Sequence, residues 1–133
     1  MPRKNKFDQF KHHSYRIVDI GRTATFHIPA EKLQLQTQRV GKKRGTIEKR
    51  IHRFLKRKFG GYHNHPVPST GVWVSPTEQI FFDNCIPYHV SFLGKKRIPQ
   101  LLKFFSGLAR EMGEECILFS MGEDAALLYP NPV

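Results

Sequence analysis

Two stretches of this chain carry their apolar residues at helical spacing, and each runs into glycine. From Ile47 onward, Ile47, Ile51, Phe54, Leu55 and Phe59 share one arc at about 100° per residue. Thr46 is placed to cap this helix, and Gly60 with Gly61 to stop it. In the second stretch, Ile98, Leu101, Leu102, Phe105, Leu108, Ala109 and Met112 form a single stripe, with Pro99 in the first turn and Gly113 near the end. A helix with one apolar stripe must lie on something, so the question becomes what the remaining segments build.

They read as strands. Tyr15 to Ile20 and Thr23 to Pro29 are rich in β-branched and aromatic residues, and predict one long bent strand or a pair. Gly71 to Ser75 and Ile86 to Leu93 predict two more, joined through Pro76 to Gln79 and the apolar run 80–82, with Trp73 in the core or the sheet. Cys116 to Ser120 and Ala125 to Tyr129 predict a hairpin around Met121 to Asp124. Glu31 to Val40 suits either a half-exposed strand or a short helix beginning near Ala30. Tyr62 to Thr70, with two prolines, reads as a connection. The expected fold is therefore α+β: two helices on one face of a mainly antiparallel sheet, close to the ferredoxin-like plan. At 133 residues, one domain over 14–133 with a flexible basic arm over 1–13 accounts for the chain.

Charge is distributed unevenly along this order. The first 60 residues hold 17 Lys/Arg against 4 Asp/Glu, and the remaining 73 hold 5 against 7. The concentration peaks between Lys42 and Lys58, where nine Lys/Arg accompany one Glu. On the first helix, Lys49, Arg50, Arg53, Lys56 and Arg57 gather opposite the apolar arc, and Lys42, Lys43 and Arg44 extend the stripe from a loop towards the positive helix N-terminus. Lys58 falls within the apolar arc and is expected to snorkel or to sit in a fraying last turn. Cations on one face without acids at i+4 repel one another, so a purely structural helix would mix signs. These eight residues are the expected contacts to a nucleic-acid backbone, RNA or DNA, through counterion release.

The chemistry-bearing residues offer less. Tyr62, His63 and His65 resemble the tyrosine-plus-two-histidine grouping of metal-dependent nucleases and strand-transfer enzymes, but Asn64 between the histidines and Pro66 after them indicate a loop. His27, His52 and His89 are scattered, and a lone histidine is usually satisfied packing. No carboxylates are paired by spacing for acid/base work, no glycine spacing fits a phosphate loop, and no cofactor or metal is implied. Cys85 and Cys116, each in an apolar run, read as buried thiols of a reducing compartment. No apolar stretch approaches a membrane span, which makes a cytoplasmic location the expectation.

Taken together, these features predict a non-catalytic nucleic-acid-binding accessory domain of a larger nucleoprotein. The alternatives are the small nuclease and a module binding an acidic protein partner. Phe104 lies off the second helix's stripe and is the expected apolar contact for a protein neighbour or a second copy.

Overall fold

Alternation along β1 (Arg22–Pro29) sets the two sides of the molecule: Ala24, Phe26 and Ile28 are fully buried, whereas Thr23, Thr25 and His27 face the other way. The computed structural model describes residues 6–39, 42–65, 67–74 and 76–131, with side chains described for all of these except 38, 39, 42–44, 81 and 82. β1 pairs antiparallel with the long strand β6 (Ile80–Phe92) from Arg22↔Phe92 to Pro29↔Cys85, and on its other edge with β7 (Ile117–Met121). β8 (Asp124–Leu128) extends the sheet beyond β7, while β4 (His63–Asn64) and β5 (Ser69–Val74) share the far edge of β6. The order β4-β6-β1-β7-β8, antiparallel throughout, fits a ferredoxin-like arrangement extended by one strand.

Pro87 lies inside this sheet, where the missing N–H should break a ladder. It falls in the gap between the two partners on that edge of β6, β5 ending its pairing at Cys85 and β4 beginning at Tyr88.

Both helices cover the Phe26 side. α1 (Ile47–Phe59) is capped by Thr46, whose Oγ1 accepts from the Lys49 amide at 3.1 Å, and ends at Gly60 in a left-handed conformation. It buries Ile47, Ile51 and Leu55; α2 (Ile98–Met112) buries Leu101, Phe105, Leu108, Ala109 and Met112. The joint core closes on Phe26, whose ring stacks on Phe105 at 4.0 Å and on Phe119 at 5.5 Å between centroids. The α+β class with a mainly antiparallel sheet is as the sequence predicts. Among the described residues, no helix is long and apolar enough to cross a membrane.

Four local expectations need correction. Residues Lys42–Thr46 form strand β3, paired with β2 (Gln36–Arg39) in a separate two-stranded hairpin, and not a loop before the helix. The open segment resolves into both alternatives in turn, a 3₁₀ turn at Ala30–Lys32 and then β2. The run at 80–82 continues into β6 as one strand, and Tyr15 to Ile20 is not a strand. Cys85 and Cys116 are free but only half-buried. Of the expected arm, residues 1–5 lie outside the described residues, as do Val40 and Ser75 at the ends of expected strands and Pro66 within the expected connection.

Candidate functional site

The side of the sheet away from the helices carries a cross-strand row of polar residues. Thr25 of β1 stands opposite Ser120 of β7 on one side and His89 of β6 on the other, and His89 stands opposite His63 of β4. Directly opposed residues of antiparallel strands share a face, so Ser120, Thr25, His89 and His63 form one line across four strands at about 5 Å steps. Thr25 Oγ1 and His89 Nδ1 are 2.8 Å apart, which holds the imidazole and leaves Nε2 as the position for exchanging a proton.

Two more imidazoles belong to this row. His65 lies 5.4 Å from His89, edge-on at 89°, and 5.7 Å from His63; the His63 and His89 centroids are 6.1 Å apart. His27, on the same face of β1, has its pKa lowered from the ordinary 6.5 by burial and then by His89. His89 is lowered likewise, by burial first and then by His65 and His63. Both are therefore uncharged at neutral pH, and the face continues in hydroxyl groups, with Thr23 and Ser91 3.3 Å apart beyond them.

His27 and His89 are scattered in the sequence, yet each sits at the off-core parity of its strand (Phe26-His27-Ile28, Tyr88-His89-Val90). That parity was the available signal. It also corrects the nuclease grouping. Residues 63 and 64 form a short strand, so His63 shares a face with His89, whereas Tyr62 turns to the helix side, packs 5.6 Å from Tyr88 and shares a 2.9 Å hydrogen bond with His52 Nδ1. The tyrosine and the two histidines are on opposite sides of the sheet, so the tyrosine cannot act with them as a nucleophile. Among the described residues, no group of three His, Cys, Asp or Glu is placed to hold a metal ion.

The basic residues divide into two kinds. Arg50 is buried: Nη1 donates to Glu111 Oε2 of α2 at 2.7 Å and to Thr37 Oγ1 of β2 at 3.1 Å, so it ties three elements together and does not face solvent as the helical wheel predicts. Lys49, Arg53, Lys56, Arg57 and Lys58 are exposed. Arg53, Arg57 and Lys58, with Arg50, Phe54 and Phe104, line a groove of about 400 Å³ between the two helices. Phe104 is not a free-standing exposed ring: it stacks on Phe54 at 3.8 Å with the planes 7° apart. The side chains of Lys42, Lys43 and Arg44 lie outside the described ones.

At the far end of the sheet, burial pushes the Cys85 thiol up to about 11, aided by Asp83 and Glu114, and Cys116 is raised chiefly by burial. Neither is an activated nucleophile.

No protein-family model matches the chain, and no curated protein matches it. Among solved structures, its fold is similar to that of a phage SAM lyase in complex with S-methyl-5′-thioadenosine, with a TM-score of 0.55 and 16% identity, covering 86% of this chain and 94% of that one. This likeness overturns the reading of a non-catalytic nucleic-acid-binding accessory domain, for the protein that shares the fold over nearly its whole length is an enzyme handling a small molecule. Charge and helical spacing alone do not separate the outward-facing cations of α1 from Arg50, which serves the interior.

Proposed function

We propose that this chain is a lyase acting on a sulfonium substrate of the kind named for its structural neighbour, SAM, and that the row of Thr25, His89 and His63 lines its site. The observation that carries this reading is a row of imidazole and hydroxyl groups, ordered by strand register, in which burial holds His89 below the ordinary imidazole pKa, on the open face of a sheet whose fold is similar to that enzyme's. A sulfonium is a cation, and its positive charge disappears as its carbon–sulfur bond breaks. Neutral imidazoles do not repel such a substrate as protonated ones would, and they favour the state in which charge is lost.

In an elimination the breaking bond leaves its electron pair on sulfur, giving the neutral thioether S-methyl-5′-thioadenosine. The adjacent carbon of the departing arm loses a proton as a carbon–carbon double bond forms. His89, held by Thr25 and with a lowered pKa, is the group to take that proton. The purified protein incubated with SAM should release S-methyl-5′-thioadenosine, followed by liquid chromatography. His89→Gln should lower the rate by about 10² or more and Thr25→Val by roughly tenfold. Absence of the thioether product from the parent protein overturns the activity; product formation unchanged in His89→Gln moves the site off this face.

A further inference from the structure

The groove between α1 and α2 lies on the helix side of the sheet, opposite the imidazole row, and has a chemistry of its own. Its volume of about 400 Å³ is within the range of about 300–1,000 Å³ for small-molecule pockets. Two parallel phenyl rings, Phe54 and Phe104, contribute its planar apolar lining, both half-buried and seated against the core. Around them stand Arg53, Arg57 and Lys58, and Arg50 is anchored in the wall by its ion pair with Glu111. Glu48, in the first turn, is the acidic residue of α1, and among the described residues no carboxylate forms an ion pair with Arg57 or Lys58.

Concentrated positive charge beside a stacked aromatic pair asks for a ligand with both an anionic and a flat part. Carboxylates of an acidic peptide would satisfy the cations and leave the rings uncovered; a phosphorylated nucleoside satisfies both. We infer that the α1–α2 groove binds a free mononucleotide, its phosphates on Arg53, Arg57 and Lys58 and its base against the Phe54–Phe104 stack. A site for a phosphorylated nucleotide, separated by the sheet from the imidazole row, goes beyond a sulfonium-cleaving activity.

Isothermal titration of the full chain at low salt with ATP, pyrophosphate and a ten-nucleotide single strand separates the contributions. ATP should bind at one per chain. Arg57→Gln combined with Lys58→Gln, both exposed and checked for unchanged circular dichroism, should weaken ATP and pyrophosphate alike by about tenfold or more. Phe104→Leu keeps the groove apolar but removes the ring, and should weaken ATP several-fold while leaving pyrophosphate unchanged. No ATP binding at millimolar concentration overturns the inference. So does an equal loss of both ligands in Phe104→Leu, or a single strand that binds tenfold tighter than ATP, which would make the groove a track for a nucleic-acid backbone.

Discussion

Glu111→Gln tests the claim that the most basic helix is held to its neighbour by one of its own cations. Arg50 keeps 10% of its side-chain surface exposed and Glu111 29%, with Nη1 2.7 Å from Oε2. Removing one partner of a fully buried pair costs about 3–5 kcal/mol, because the other charge remains desolvated. Glu111 is near a third exposed and water screens part of that loss, so about 2 kcal/mol is expected for Glu111→Gln. Thr37 still accepts one bond from the guanidinium, which limits the damage. Arg50→Met removes the charge that needs compensation and should cost only about 1 kcal/mol. In the Arg50→Met background, Glu111→Gln should then be nearly silent, a coupling of roughly 1.5 kcal/mol. Urea unfolding of the four proteins with a common m-value measures this, and for a chain of this size the Glu111→Gln loss corresponds to about 8 °C in Tm. A loss below about 0.5 kcal/mol, or the same loss in both backgrounds, would refute the reasoning.

Three further outcomes follow from the geometry. Gly21 has φ +97° and a side-chain carbon there would sit 1.9 Å from the Phe92 carbonyl oxygen, so Gly21→Ala should cost about 2–3 kcal/mol, whereas Gly60→Ala, at φ +82° with nothing within 4 Å, should cost about 1 kcal/mol; equal melting temperatures for the two variants would contradict this. Phe26→Ala should lose about 3–5 kcal/mol and Phe54→Ala about half as much, since Phe26 is wholly buried and Phe54 borders the groove; calorimetry showing the reverse order would misplace the core. The lowered pKa values of His27 and His89 mean that below about 6.5 the unfolded chain binds more protons than the folded one, so stability is complete above that pH and falls as pH drops through the folded-state values. Thermal melts between about pH 5 and 7.5 should show this slope flattened in the His27→Gln/His89→Gln double variant, and an unchanged slope would exclude these two groups as its source.

The two helices were legible because their signals are local: Thr46, Gly60, Pro99 and Gly113 stand at or beside the helix ends, and the apolar stripes need no partner to be seen. Arg50 shows where local reasoning stops. It lies at the border of the apolar arc, and its burial is decided by Glu111, 61 residues later, and by Thr37, neither of which a helical wheel contains. The hairpin of β2 and β3 was hidden by its cations, which favour a loop on composition although the backbone pairs as strands. The imidazole row was half readable. Alternation assigns Thr25 and His27 to one face of β1, and His89 to one face of β6, but only the pairing of strands about 60 residues apart brings Thr25 level with His89, and sequence without the fold does not specify that register. Phe104 looks exposed from its own helix alone, because the spacing within α2 does not contain Phe54, the ring it stacks on.

Strand β6 outruns its neighbour. β1 accompanies it only as far as Cys85, so residues 80–84 are paired with β5 alone and form a two-stranded ribbon beyond the main sheet, turning through Glu78 at φ 64° and exposing Val72, Val74 and Ile80. A two-stranded ribbon is marginal by itself in water, since half of each strand's surface stays wet. Amide hydrogens there should therefore exchange through local opening, at rates far above those of the amides around Phe26 and Tyr88, which must wait for the whole sheet to come apart. One continuous strand would thus belong to two cooperative units, with Pro87 just inside the slower one.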